Sequence, residues 1–167
     1  MLPNKKKVLA VILARGGSKG IKFKNIADLA GHPLISYTIE AAKNSKYIDE
    51  IIVSTDNKKI AKVSKEYGAK VPFIRSKKLS GDKITSVEAL YDAVFRYQKI
   101  KKAYFDYIIE LPCVSPFRGS KHIDETLEIL SRVIKSNINI RSMLEGELVK
   151  PVFRKVSDFN SFIDKKV

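Results

Sequence analysis

Six apolar residues in a row, Val8 to Leu13, run almost directly into Arg15-Gly16-Gly17-Ser18-Lys19-Gly20. An apolar run without a polar break is the mark of a strand buried on both faces, as in a parallel sheet, and residues 7–13 read as one. A glycine-rich loop leaving such a strand lies at the sheet's carboxyl edge. Its backbone can approach an anion closely and turn successive N–H groups towards it. Arg15 and Lys19 add two cations to the same loop. That combination suits a nucleoside triphosphate, whose charge is high and whose leaving group gains more. Two familiar loops are excluded by spacing. A Walker loop requires Lys-Ser/Thr after its last glycine, and here Gly20 precedes Ile21. A dinucleotide loop requires Gly-x-Gly-x-x-Gly, which this run does not contain.

The rest of the chain alternates strand and helix patterns. Residues 26–34 hold a turn at Gly31-His32-Pro33, and residues 35–44 read as a helix with Ile35, Ile39 and Ala42 on one face. Residues 48–54 form a second apolar strand. Asp56-Asn57 can cap a helix that runs to about Tyr67 and stops at Gly68. A short third strand is expected at 69–74, a polar loop at 75–83, and an amphipathic helix at 86–99. A fourth strand is expected at 104–111, then a proline-bearing loop at 112–120, then a helix at 122–135. Beyond residue 137 the pattern weakens, with candidate strands at 138–143 and 148–156. Alternation of this kind implies right-handed βαβ crossovers. The fold class is therefore α/β, a three-layer, doubly wound, mainly parallel sheet with helices on both faces. Ligands in such sheets bind beyond the carboxyl ends of the strands, so the loops after strands one, two and four are where function belongs. The chain of 167 residues is expected to form a single domain, 1–167, with 137–167 as a partial dimerisation or C-terminal segment.

Charge and cysteine content narrow the function classes. The formal net charge is +14, which attracts anions such as nucleic acid, membrane phosphates or small polyanionic substrates. The lysines are scattered in ones and twos, with no basic tail and no aromatic-basic pattern, so a solvated surface is expected and no specific nucleic-acid partner. No apolar run approaches the ~20 residues of a membrane helix. The basic N-terminus is followed by too short an apolar stretch for a signal peptide, so the expected location is the cytoplasm. Cys113 is the sole cysteine. It rules out an internal disulfide and is expected to act as a small buried apolar residue rather than pair with His32 or His122 in catalysis.

Four ordered blocks then make a resemblance specific. Leu13-Ala14-Arg15-Gly16-Gly17-Ser18-Lys19-Gly20, with Lys24-Asn25 just after, resembles the signature of the acylneuraminate cytidylyltransferases. Ile51-Ile52-Val53-Ser54-Thr55-Asp56 resembles that family's second-strand motif. Arg75, Leu79, Asp82 and Ser86 resemble the next block, and Ser115-Pro116-Phe117-Arg118 resembles its Ser-Pro-Leu-Arg. The resemblance spans residues 8–130. It implies a Rossmann-like fold of the nucleotide-diphospho-sugar transferase type. It also implies a reaction: the anomeric hydroxyl of a sialic-acid-like sugar acid attacks the α-phosphate of CTP, giving a CMP-sugar and pyrophosphate, a step in lipopolysaccharide or capsule biosynthesis. A homodimer is implied as well, and Mg²⁺ or Mn²⁺ held mainly through the CTP phosphates.

The same resemblance assigns roles. Arg15, Lys19 and Lys24 would hold the triphosphate and carry catalysis. Leu13 and Ala14 would touch base or ribose through backbone, and Gly16, Gly17 and Ser18 complete the nucleotide loop. Asn25 would lie near the nucleotide, Arg75 and Ser86 would face the cytidine, and Ser115 and Arg118 would meet the sugar. Ordinary explanations stand beside several of these: Asn25, Asp56 and Ser86 can each be helix caps, and Lys24 and Arg75 can be surface cations.

The chain departs from the family pattern twice. Where the family commonly reads Gln-Pro-Thr-Ser-Pro-Leu-Arg, this chain has Pro112-Cys113-Val114-Ser115-Pro116-Phe117-Arg118. Pro112 has no side-chain donor or acceptor in place of the amide, which suggests a different sugar acid. The family's later Asp-x-Asp-like pair, which binds the metal, has no match here. Asp158 and Asp164 stand in other contexts, so no residue is assigned as a metal ligand. The alternative expectation is a catalytically silent CTP-binding domain or a truncated relic.

Overall fold

The computed structural model describes residues 6–18 and 20–135. Its centre is a three-stranded parallel sheet in the order β4-β1-β5, made of β1 (Val8–Leu13), β4 (Glu50–Ser54) and β5 (Tyr107–Glu110). The apolar run that opened the sequence is the middle strand. It is hydrogen-bonded on both sides, with Val11 in register with Ile52 and with Glu110. A small antiparallel pair, β2 (Asp28–Leu29) and β3 (His32–Pro33), lies between β1 and the first helix.

Two cores sandwich the sheet. On one face Val8, Ala10 and Ile12 pack with Ile35 and Ile39 of α1 (Leu34–Lys43), Ile60 of α2 (Lys58–Glu66), and Ile123 and Leu127 of α4 (Ser120–Lys135). On the other, Leu9, Val11, Ile52 and Ile108 pack with Leu90, Ala93, Val94 and Tyr97 of α3 (Ser86–Lys101). Alternate residues of β1 thus serve opposite faces, which is why the strand has no polar position. The three layers are those expected. Burying a side chain such as Leu9 or Ile12 contributes about 1.5–3 kcal/mol each, so the sheet is fixed by these packed faces more than by its short ladders.

Several boundaries differ from expectation. Residues 69–74 do not form a strand; they touch β4 only through bridges at Ile52–Lys70 and Thr55–Ile74. Pro72 lies between the two bridges and has no N–H to continue a ladder. The expected turn at Gly31-His32-Pro33 sits earlier, at Ala30-Gly31, whose φ values of 52° and 86° join β2 to β3. Asn57, not Asp56, caps α2, accepting from the amides of Lys59 and Ile60. Thr85, not Ser86, caps α3, in a reciprocal box with Glu88. Gly68 follows α2 with φ 94°, the left-handed position that glycine serves cheaply. The candidate strands at 138–143 and 148–156, and the segment 137–167, lie outside the described residues.

Candidate functional site

The carboxyl ends of β1 and β5 open into a cleft of about 590 Å³. It lies on the α3 side of the sheet. Leu13 and Glu110 come from the strands, Ser86 and Ala89 from the start of α3, and Arg75 from the segment beyond β4. The loop after β1 borders it through Arg15, Ser18 and Gly20.

This loop is held from three directions. The Ala14 N–H donates to the Ser54 carbonyl at 3.0 Å, continuing the β1–β4 ladder past its end. The Gly16 N–H donates to Asp56 Oδ1 at 2.8 Å, so the carboxylate next to the α2 cap clamps the loop. Buried Asn25 donates its Nδ2 hydrogen to the Arg15 carbonyl at 3.0 Å. Asn25 belongs to a 3-10 turn, Lys24–Ile26, entered through Phe23 at φ 53°. A Cβ on Gly16 would lie 3.0 Å from Asn57 Cβ and Nδ2, whereas one on Gly17 would meet nothing within 4 Å. Gly16 is therefore required by close packing, and Gly17 stands in open space.

Three cations from separate segments border the cleft: Arg15 from the loop, Lys24 from the 3-10 turn and Arg75 from beyond β4. Arg15 Nη1 donates to Asp82 Oδ1 at 2.8 Å. Arg75 is 4% exposed and donates its Nε hydrogen to Ser80 Oγ at 3.1 Å. Burial holds the Arg75 guanidinium below the usual arginine range, while Asp56 and Asp92 oppose that shift. A deeply set guanidinium beside the Ser80 hydroxyl, on a cleft bordered by two further cations, is an arrangement that can hold an anion.

The expected site residues divide into three groups. Leu13, Arg15, Ser18, Lys24, Asn25, Arg75 and Ser86 border this one cleft. Ala14, Gly16 and Gly17 belong to the loop's frame; Ala14 is fully buried and the Gly16 amide is engaged by Asp56. Lys19 lies outside the described residues. Ser115 and Arg118 sit apart from the cleft lining, closing their own loop. The Arg118 N–H donates to the Ser115 carbonyl at 3.2 Å, and its Nη2 donates to the Pro112 carbonyl at 3.0 Å. Ser86 stands in the first turn of α3 and borders the cleft from there.

Sequence reasoning gave no role to two cleft residues. Asp82 pairs with Arg15, and Glu110 ends β5 with its carboxyl facing the same cleft. Burial pushes the Glu110 carboxyl above the usual carboxylate range. Its signal was visible in principle: a lone charge at the carboxyl end of an otherwise apolar strand. Cys113 borders the cleft but is 3% exposed, and burial pushes its thiol up to about 12, which suits a packing residue and not a nucleophile. His122 accepts from the Gly119 N–H at 3.0 Å, a contact within the loop before α4.

The chain is similar to known proteins in both sequence and fold. The sequence model of the cytidylyltransferase family matches residues 9–155. The chain is 39% identical over 156 residues to the CMP-N,N'-diacetyllegionaminic acid synthase of Legionella pneumophila, covering 87% of this chain and 67% of that one. It is 42% identical over 122 residues to the pseudaminic acid cytidylyltransferase of Campylobacter jejuni, covering 73% of this chain and 52% of that one. The chain thus spans between half and two thirds of the lengths of these two curated relatives. Among solved structures it is similar to a CMP:2-keto-3-deoxy-manno-octonic acid synthetase complexed with CTP, with a TM-score of 0.61 at 23% identity, covering 74% of this chain and 46% of that one. At that identity the likeness establishes the fold.

Proposed function

We propose, from the premise that this chain belongs to the cytidylyltransferase family, that it binds CTP in the α3-side cleft and transfers CMP to a sialic-acid-like sugar acid. The anomeric hydroxyl of the acid attacks the α-phosphorus; the new O–P bond forms as the bond to pyrophosphate breaks, and pyrophosphate leaves with the electron pair. The observation that supports this most is the convergence of Arg15, Lys24 and Arg75, from three separate segments, on one cleft at the strand ends. Cations held in advance at a triphosphate stabilise the charge that grows on the leaving group. Lys19 belongs to the same proposal as a further phosphate contact, with Leu13, Ser86 and Arg75 around the nucleoside and Ser115 and Arg118 on the sugar side.

Mg²⁺ or Mn²⁺ accompanies CTP in this reading, neutralising phosphate charge. Among the described residues no group of three His, Cys, Asp or Glu side chains is placed to hold such an ion. Phosphate oxygens and water are its proposed ligands. A cytoplasmic homodimer completes the proposal; among the described residues no helix is long and apolar enough to cross a membrane.

The test is pyrophosphate release from CTP with N-acetylneuraminate, legionaminate, pseudaminate and ketodeoxyoctonate, beside calorimetric titration with CTP. Release with one of these acids supports the transfer. CTP binding without release from any of them supports only the nucleotide-binding half. Absence of CTP binding overturns both.

A further inference from the structure

Glu110 is an unusual residue for its place. It is the last residue of β5 and the register partner of Val11. Register partners share a face, so its side chain stands on the α3 side, in line with Ile108 below it and beside Leu13 at the end of β1. That side is otherwise apolar: Leu9, Val11, Leu90 and Ala93 are all buried there. The carboxyl is partly buried at the cleft floor. Desolvation raises its proton affinity above that of an ordinary carboxylate. Among the described residues no side chain donates to it.

A carboxylate so placed costs stability, because burial removes water without supplying a partner. An apolar residue would pack that floor better. The cations Arg15, Lys24 and Arg75 border the same cleft, yet Glu110 is paired with none of them. A phosphate is repelled from this spot, so the part of a substrate that reaches it carries hydrogen-bond donors and no negative charge. Leu13 and Ala89 flank the floor and supply apolar surface for a planar ring.

We infer that Glu110 is a nucleoside-specificity residue, accepting a hydrogen bond from a donor group of the bound cytidine. This rests on the proposed binding of CTP in this cleft. Two groups of the nucleoside have the required chemistry. The exocyclic amine of cytosine is a natural partner for a carboxylate, whereas uracil presents a carbonyl there. The ribose hydroxyls are the other donors.

Calorimetric titration of wild type, E110Q and E110L with CTP, UTP and dCTP tests the inference without requiring turnover. The expected result is CTP binding at least tenfold weaker in E110L, with a melting temperature equal to or above that of wild type. If the amine is the donor, preference for CTP over UTP collapses in both variants. If a ribose hydroxyl is the donor, preference for CTP over dCTP collapses instead. Unchanged CTP affinity in both variants overturns the inference, as does a loss of affinity that is equal for all three nucleotides. A fall in the melting temperature of E110L also overturns it, since that marks a structural role. Failure of the wild type to bind CTP sinks the underlying reading, a different result from any of these.

Discussion

The Arg15 guanidinium reaches across the mouth of the cleft to the Asp82 carboxylate, donating at 2.8 Å between two side chains that are 38% and 52% exposed. The pair joins the loop after β1 to the segment before α3, the two walls between which a triphosphate would lie. An ion pair this exposed contributes at most about 1 kcal/mol to stability. In the proposed binding of CTP its larger effect would be on affinity, with Asp82 competing with phosphate for Arg15.

Removing either partner therefore has opposite effects on binding. Arg15→Ala is expected to weaken CTP binding by about 10–100-fold, the loss of one charge-assisted contact. Asp82→Asn is expected to strengthen it by about threefold at low salt, with the gain fading as ionic strength rises. Both variants should melt within a few degrees of wild type. Titration calorimetry at two salt concentrations checks the pair. Weaker binding in Asp82→Asn would show that the carboxylate positions Arg15 and does not compete for it.

Gly16 and Gly17 are adjacent in sequence and unequal in space. Gly16→Ala drives a methyl group against Asn57, the residue that caps α2, and is expected to cost about 1–3 kcal/mol, as overpacking does. Gly17→Ala meets nothing within 4 Å and should change stability by less than about 0.5 kcal/mol. Urea denaturation of the two variants side by side distinguishes them, and equal losses would contradict the packing argument.

Asn25 is the buried strut under the loop, donating to the Arg15 carbonyl at 3.0 Å. Asn25→Ala leaves that carbonyl unpaired and should cost about 1–3 kcal/mol. Because the strut sets the direction of Arg15, CTP affinity should fall as well, even at a temperature where the variant is fully folded. A stability loss with unchanged affinity would make Asn25 purely structural.

Cys113 supplies a prediction in pH. Burial raises its thiol from an ordinary 9 to about 12, so the folded state retains a proton that the unfolded chain gives up. The stabilisation this provides is complete below pH 9 and is lost as pH rises from about 9 towards 12. At pH 8 the native thiol should resist iodoacetamide and become reactive only in denaturant. Rapid alkylation of the native protein at pH 8 would refute the buried assignment.

Much of this was legible in the chain. Val8 to Leu13 had to be a strand covered on both faces, since every residue in it is apolar, and of the glycines after it Gly16 marks a close approach. The helices α1 to α4 appeared within two residues of their expected starts because each carries an apolar stripe. Choices decided by distant partners were not legible. Asp56 and Asn57 are equally good caps locally; Asn57 takes the role because Asp56 is drawn to the Gly16 amide, 40 residues away. Residues 69–74 have strand composition, yet Pro72 reduces them to two bridges. At the site, Arg15 was legible from the glycine-rich loop that carries it to the cleft. Glu110 was not, because a charge at a strand end reads as ordinary solvent exposure until the helix packed over it is known. Arg118 kept its place in a recognisable motif but turned its guanidinium onto the Pro112 carbonyl.

The central position of β1 sets a schedule for synthesis. Its two partners emerge far apart in time: β4 soon after it, β5 roughly a hundred residues later. At about 5–20 residues per second, the most apolar segment of the chain waits about 5–20 seconds for its second neighbour. During that interval one edge of β1 is open. A newly made chain is thus most vulnerable to aggregation before Tyr107–Glu110 leaves the ribosome, and conditions that slow translation over that stretch should lower its soluble yield.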